Sequence, residues 1–281
     1  MNDLFDNFGR IQKNDPEFHE LFRNFAFGEV FEYSTLPEKE SILVILASLI
    51  ACQSPKAFKK ILISALDKDV TPVEVKELLY QSVPYVGFGR AHNFFGVVIK
   101  VFDKKGIKMP LDGKSNTDSG NRYEKGRELQ EKYFGVENIQ MMRNSTPEDQ
   151  KHFNTFLEGF CFGDFYTRDG LDDRQRELIT FVFIATLGGC ENQLRGHTQG
   201  NLAVGNSKED LISAITVIMP YIGFPRTLNA LSIVNEIVEY FHTDGALTAG
   251  EYDALDLTAQ AYDNYELTAY DYDFNGKNLL V

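Results

Sequence analysis

Apolar residues recur at helical spacing along most of the chain, and few segments carry the signals of a β-strand. Two nearly continuous apolar runs, Ile42 to Ala51 and Leu178 to Leu187, indicate helices that are buried inside the protein. Pro37 suits the first turn of the earlier helix, and Gly188-Gly189 ends the later one. The hydrophobic pattern therefore predicts an all-helical fold.

Further helices are predicted on either side of these runs. The apolar spacing from Asn2 to Phe31 predicts two short amphipathic helices that break at residues 14–16. A capping-box sequence, Thr71 to Glu74, opens a helix that ends at about Val83, because Pro84 to Gly89 interrupts it. The remaining predicted helices cover residues 55–66, 90–102, 122–134 and 146–162.

The same order of elements returns later in the chain, which indicates an internal duplication. Ser207 to Asp210 repeats the cap of Thr71 to Glu74. The residues Pro84, Tyr85, Gly87, Phe88, Arg90 and Asn93 return as Pro220, Tyr221, Gly223, Phe224, Arg226 and Asn229. A repeat of this length, carried by several helices, predicts two tandem all-α units that pack as a pseudo-dimer.

The repeat also sets the expected domain boundaries. We assign residues 1–103 to the first unit and residues 146–242 to the second. Residues 104–145 read as a linker that contains one helix. Residues 243–281 form an acidic, tyrosine-rich tail, and low complexity of this kind predicts weak order.

Composition narrows the class of protein. The 281 residues carry 28 Lys and Arg against 41 Asp and Glu, and a formal charge of −13 disfavours nucleic acids and anionic membranes as partners. We expect a soluble, cytoplasmic protein, since no long apolar span or signal peptide is evident. Three cysteines without a CxxC pair and five scattered histidines predict free thiols and no metal site.

The candidate chemistry is concentrated in the segment from Cys190 to His197. On one helix, Cys190, Gln193 and His197 fall within a narrow arc and could line a common pocket. Glu191 and Arg195 lie four residues apart on a neighbouring face, in the favoured order for an intrahelical ion pair. Either side chain could instead reach the edge of the pocket.

Residues outside this segment complete the candidate set. Glu177, on the preceding helix, is a candidate to orient His197 or to act as a base. Tyr221, in the turn from Pro220 to Pro225, is predicted to form a wall of the same pocket. Arg174 and Arg176 are interpreted as interface or surface charges.

Several separated motifs in the second unit resemble the carboxymuconolactone decarboxylase family. The resemblance is close over about residues 153–240 and weaker over about 25–102. The residues that carry it are Phe162 to Leu171, Arg174, Arg176 to Leu178, Gln193 to Arg195, His197, Gly205, Pro220 to Pro225 and Asn229-Ala230.

The resemblance implies a fold, an assembly and two kinds of chemistry. The family is all-helical and related to the alkylhydroperoxidase D-type fold, and its single-domain members form rings of six units. A duplicated chain is then expected to form a homotrimer, with a homodimer as the next choice. The decarboxylases of the family need no cofactor, whereas the alkylhydroperoxidase relatives use a CxxC pair with a nearby Glu and His.

The sequence departs from the second pattern. Cys190 lacks its partner, because Gln193 stands three residues on. In the first unit, Ser54, Pro55 and Ile61 occupy the places of Cys190, Glu191 and His197, so we expect that copy to be structural. Cys52 lies two residues from the position equivalent to Cys190.

Three hypotheses follow for the function. The first is a cofactor-independent enzyme acting on a small carboxylated lactone or related acid, in which Arg195 holds the carboxylate and His197 protonates carbon. The second is a thiol-dependent hydroperoxide reductase in which Cys190 attacks the peroxide and His197 tunes the thiol. In both, Glu177 and Glu191 are candidate acid–base groups. The third is a non-catalytic scaffold or small-ligand binder.

Overall fold

The computed structural model of the protein describes residues 4–5 and 8–243, and these residues form helices without a β-strand. The predicted tail lies outside the described residues from position 244 onward. Within the described ranges, no helix combines the length and apolar character needed to cross a bilayer. The helices are α1 (Gly9–Asn14), α2 (Pro16–Asn24), α3 (Val30–Glu32), α4 (Glu38–Ala51), α5 (Pro55–Ala65), α6 (Pro72–Val86), α7 (Phe88–Lys104), α8 (Arg122–Phe134), α9 (Val136–Ser145), α10 (Lys151–Phe156), α11 (Asp173–Leu187), α12 (Glu191–Ala203), α13 (Lys208–Ile222) and α14 (Phe224–Thr243), with π-helical segments at Phe25–Glu29 and Leu157–Tyr166 and a 3-10 turn at Glu148–Gln150.

The duplication is visible in the order of the elements. Helices α4 to α7 of the first unit correspond to α11 to α14 of the second, and each set follows a π-helical segment. Capping boxes open α6 at Thr71 and α13 at Ser207, as the sequence predicts, and a third opens α11 at Asp172. The same local signals therefore begin equivalent helices in both units.

Both prolines of the repeated turn lie inside helices, which corrects the predicted interruption. Helix α6 continues through Pro84 to Val86, and α13 continues through Pro220 to Ile222. A proline this close to the end of a helix removes one backbone hydrogen bond and leaves those around it intact. The chain turns instead at Gly87 and Gly223, where φ is 79° in each case, a conformation that glycine adopts readily.

The two units share one hydrophobic core. Helices α4 and α11 cross at its centre, and every residue from Ser41 to Ala51 and from Arg176 to Thr186 is buried. The units also exchange neighbours, because α6 of the first packs on α11 of the second, and α13 packs on α4. Each unit therefore contributes one helix that packs against the central helix of the other unit.

The segment between the units is an integral part of the fold. Helix α8 has the predicted bounds, but α9 was not predicted. Helix α8 packs closely on the π-helical segment Leu157–Tyr166, since a side chain at Gly126 or Gly163 would collide with the backbone of the opposite element. Helix α8 in turn packs on both α9 and α12.

Candidate active site

A cavity of about 450 Å³ lies where the two units meet, next to His197. Its walls come from α6 of the first unit, from α8 and α9 between the units, and from α11, α12 and the π-helical segment of the second. The cavity is within the size range of small-molecule sites. Residues from three parts of the chain therefore surround the candidate chemistry.

His197 is held by a buried carboxylate. Its Nδ1 lies 2.9 Å from Oε2 of Glu177, and the Glu177 side chain is fully buried whereas that of His197 is 12% exposed. Gly200 makes this approach possible, because a Cβ there would lie 2.6 Å from the same Glu177 oxygen. With Nδ1 engaged by Glu177, Nε2 is the ring nitrogen left for proton transfer.

Two aromatic rings fix the plane of the His197 imidazole. The rings of Tyr85 and Phe134 meet it edge to face, with centroids 5.3 Å and 5.6 Å away. Both side chains also line the cavity. Tyr85 belongs to the first unit and Phe134 to the predicted linker, so neither comes from the unit that carries the histidine.

Hydroxyl groups extend the hydrogen-bond network away from the cavity. Tyr166 donates to Oε1 of Glu177 over 2.8 Å, and its oxygen lies 2.8 Å from Oγ1 of Thr180 and 2.9 Å from the hydroxyl oxygen of Tyr85. Cys161 completes the cluster with its Sγ 3.7 Å from the Tyr85 oxygen. Burial raises the pKa of both tyrosines and raises that of Cys161 to about 12, so these groups stay protonated.

The network continues to an ion-paired group at the interface of the units. Gln81 donates to Thr180 over 3.1 Å and accepts from Arg176 over 3.0 Å. Arg176 and Arg168 both bind the fully buried carboxylate of Glu77. Arg176 is only 1% exposed, so the prediction of a surface charge at this position is wrong. The charge of Arg176 lies instead at the interface between the two units.

Cys190 and Gln193 line the same cavity as His197, as their spacing predicts. Cys190, however, is the residue that precedes α12, with φ of −133°, and is not itself helical. Its Sγ lies 3.6 Å from the carbonyl oxygen of Gly188, and the side chain is half-buried. Cys190 therefore borders the site from the turn that connects α11 to α12.

Arg195 and Glu191 lie away from this cavity. Arg195 binds Glu236 of α14 through two hydrogen bonds, of 2.8 Å and 3.1 Å. Glu191 is exposed and lines a small crevice on the other side of the turn, next to Arg226. Among the described residues that line the cavity, none is a lysine or an arginine.

Tyr221 lies beside the first unit, and Tyr85 takes the place that was predicted for it. Helices α6 and α13 each pack against the other unit of the chain. The tyrosine of one unit therefore completes the cavity of the other unit. The repeat contained this signal, since Tyr85 and Tyr221 are equivalent, but the exchange of helices is a tertiary feature.

Gln199 is a further cavity residue that the sequence analysis did not identify. It lies two positions after His197 on α12, and its Nε2 is shielded from solvent without a hydrogen-bond partner among the described residues. A buried amide N–H without a partner is available to a ligand oxygen.

The fold is a duplicated four-helix unit, and a histidine–glutamate pair lies where the two copies meet. The sequence model of the carboxymuconolactone decarboxylase family matches residues 16–100 and 152–236, so the chain belongs to that family and contains two copies of its unit.

The chain is also similar to individual proteins. A 4-carboxymuconolactone decarboxylase from Acinetobacter baylyi is 26% identical over 116 residues, which are 41% of this chain and 86% of that protein. A solved structure from Burkholderia xenovorans, named as a gamma-carboxymuconolactone decarboxylase subunit, is 17% identical; the match covers 83% of this chain and 91% of that one, with a TM-score of 0.47.

Proposed function

We propose that the protein is a cofactor-independent enzyme that removes CO₂ from a small carboxylated lactone or a related acid, in the cavity beside His197. The pairing of His197 with the buried Glu177 is the observation that supports it. The name of the Acinetobacter relative makes 4-carboxymuconolactone the first substrate to test.

The lining of the cavity favours loss of a carboxylate. Among the described lining residues there is no cationic side chain of Lys or Arg, and the polar ones include neutral amides such as Gln130, Gln193 and Gln199. A carboxylate that leaves water for such a site gains little compensation for its concentrated charge. Breaking the carbon–carbon bond spreads that charge onto the lactone carbonyl, which the site then solvates better.

His197 completes the reaction as the acid. When the carbon–carbon bond breaks, CO₂ leaves and the electron pair moves into the lactone, forming an enolate with its charge on the carbonyl oxygen. Gln199, which lines the cavity and has a buried N–H without a partner among the described residues, is the candidate donor to such an oxyanion. The protonated ring of His197 then gives its Nε2 proton to carbon to form the new carbon–hydrogen bond, and the neutral imidazole takes a proton from solvent before the next cycle. Glu177 keeps the ring oriented.

Release of CO₂ from 4-carboxymuconolactone by the purified protein is the direct test. We expect His197→Gln to lower turnover about 10²- to 10⁴-fold, as loss of a general acid does. Arg195→Leu is the matched control on the same helix, because Arg195 is paired with Glu236 outside the cavity, and it should keep near wild-type turnover. Wild-type turnover by His197→Gln, or no CO₂ from this and related lactone acids, contradicts the proposal.

A thiol-dependent hydroperoxide reductase is the second candidate, because Cys190 lines the same cavity as His197. The Cys190 thiolate would attack the peroxide oxygen, the O–O bond would break, and an alcohol and a cysteine sulfenic acid would form. An external thiol would reduce the sulfenic acid. Cys161 is unsuited to that role because it is buried, is hydrogen-bonded to Tyr85 and has its pKa raised to about 12.

Peroxide treatment followed by dimedone trapping and peptide mass spectrometry separates the two candidates. The peroxidase hypothesis requires a dimedone adduct at Cys190, lost in Cys190→Ser, whereas decarboxylation should survive that substitution. Binding of the lactone without release of CO₂ would leave the third hypothesis, a non-catalytic binder. We also propose that the protein is cytoplasmic and that it assembles as a homotrimer or else as a homodimer. Light scattering measures the assembly.

A further inference from the structure

A second cavity, of about 370 Å³, occupies the equivalent position in the first unit. Tyr221 lines it where Tyr85 lines the first cavity, and Ser54 and Ala57 stand where Cys190 and Gln193 do. The N-terminal helices α1 and α2 contribute to its wall. The fold therefore builds the same kind of space twice, with different linings.

Tyr221 presents an unsatisfied hydroxyl group at this cavity. Its oxygen is shielded from solvent and has no hydrogen-bond partner among the described residues. The hydroxyl of Tyr85 is bonded to Tyr166 and approached by Cys161. In the first unit Phe31 and Ala26 stand at these two positions, because Phe25 to Gly28 aligns with Phe160 to Gly163, and neither offers a polar side-chain atom. A buried hydroxyl without a partner is unfavourable, and a ligand oxygen would satisfy it.

The rest of the lining selects for an uncharged, aromatic ligand. No side chain among the described lining residues is ionised at neutral pH, so an ion would lose its hydration there without compensation. Aromatic rings pack against one another in edge-to-face and offset arrangements, and Phe22 already meets Tyr221 edge to face at 6.2 Å. The phenylalanines of the lining are Phe5, Phe8, Phe18, Phe22 and Phe27.

We propose that this cavity is a second binding site, which takes a neutral aromatic molecule of one or two rings carrying a hydroxyl or carbonyl oxygen. The ring system packs among the phenylalanines, and its oxygen exchanges a hydrogen bond with the hydroxyl of Tyr221. The site lacks the histidine of the other cavity, because Ile61 stands at that position, and none of its described lining residues carries a carboxylate. It therefore binds its ligand without chemical conversion.

The test uses 2-naphthol, a fluorescent bicyclic phenol that is well suited to a chain without tryptophan. Cys52 lines the proposed site and Cys190 lines the other cavity, so the two thiols report on the two sites separately. Iodoacetamide labelling is followed at each cysteine by peptide mass spectrometry while 2-naphthol is titrated. We expect saturable protection of Cys52, with the same midpoint as a change in naphthol fluorescence.

Two variants of the cavity sharpen the result. Ala57→Phe fills the space and should abolish protection of Cys52, whereas Gln193→Phe, the matched change in the other cavity, should preserve it. Tyr221→Phe should weaken 2-naphthol binding about three- to tenfold, as loss of one hydrogen bond does, and leave binding of naphthalene unchanged. Circular dichroism of each variant checks that it is folded.

Failure of 2-naphthol to protect Cys52 in the wild-type protein overturns the proposal. So does equal protection in a folded Ala57→Phe variant, because the ligand would then bind elsewhere. If Tyr221→Phe binds 2-naphthol as tightly as the wild type does, the inferred role of the Tyr221 hydroxyl is wrong. These readouts do not involve turnover, so they are independent of the decarboxylase proposal.

Discussion

The two cavities of this protein occupy equivalent positions in a duplicated scaffold, yet one is lined by several amides and a histidine and the other mainly by phenylalanines. The first surrounds His197 and Glu177, which continue into a buried network of hydroxyl groups. The second is lined by phenylalanines around the unpaired hydroxyl of Tyr221. The duplicated unit therefore carries the histidine–carboxylate pair in one copy and a phenylalanine-rich cavity in the other.

The comparison also shows why the polar network is confined to one side. Burying a charged or polar group is unfavourable unless every partner is present. Around His197 the partners come together, since Glu77, Gln81 and Tyr85 of α6 meet the second unit there. Their equivalents on α13 are Ser213, Val217 and Tyr221. None of these side chains is charged, and only Ser213 and Tyr221 carry a hydroxyl group.

The largest effect is expected from removing the carboxylate that holds His197. Glu177→Gln should lower turnover about 10²- to 10⁴-fold, because an amide leaves the imidazole in the wrong orientation or tautomer. The control is Ser41→Ala, which removes a buried polar side chain from the central helix of the first unit and should leave turnover unchanged. Steady-state rates over a range of pH check this prediction, and an unaltered rate in Glu177→Gln would mean that Glu177 does not position the histidine.

The next largest effect is on stability, at the ion-paired end of the network. Glu77→Gln leaves Arg168 and Arg176 facing a neutral side chain in a buried site, so the free energy of unfolding should fall by roughly 3–5 kcal/mol. Ser213→Ala, at the equivalent position, removes only a hydroxyl bonded to Thr35 and should cost about 1 kcal/mol. Urea unfolding at one protein concentration measures both, and equal losses would contradict the asymmetry.

The two equivalent tyrosines provide a smaller and more direct contrast. Tyr85→Phe removes a hydroxyl that is bonded to Tyr166, so it should lower the free energy of unfolding by about 1–2 kcal/mol. Tyr221→Phe removes a buried hydroxyl without a partner and should be neutral or stabilising by up to about 1 kcal/mol. Thermal unfolding of the pair checks the prediction, which fails if Tyr221→Phe is the less stable variant.

The smallest effect concerns Glu40, which lies in the first turn of α4, just before the buried run that begins at Ser41. Burial raises the pKa of Glu40, so in the folded protein its carboxyl holds a proton more tightly than in the unfolded chain. Its contribution to stability is present below the ordinary glutamate pKa of about 4.3 and is lost as pH rises through the raised value.

Glu40→Gln should therefore gain stability relative to the wild type as pH rises from about 4 towards neutral, by less than about 1 kcal/mol. Unfolding measured at several pH values tests the sign. A difference between the two proteins that does not change with pH would show that Glu40 titrates alike in the folded and unfolded states.

Most of the helices, the repeat and the arrangement of side chains along α12 could be predicted from local patterns in the sequence. Apolar periodicity and capping boxes are local signals, so they predicted the central helices α4 and α11 and the starts of α6 and α13. Helical spacing likewise predicted that Cys190, Gln193 and His197 would share a cavity, because residues three and seven apart point the same way.

The contacts that these residues make with the rest of the chain could be read only from the tertiary structure. Tyr85, rather than Tyr221, lies against His197 because the two units exchange α6 and α13. Arg195 binds Glu236, 41 positions away, and the helix α9 of the predicted linker forms a wall of the cavity. Such contacts join residues that are distant along the chain, and they depend on how whole helices pack, which the spacing of residues on one helix does not specify.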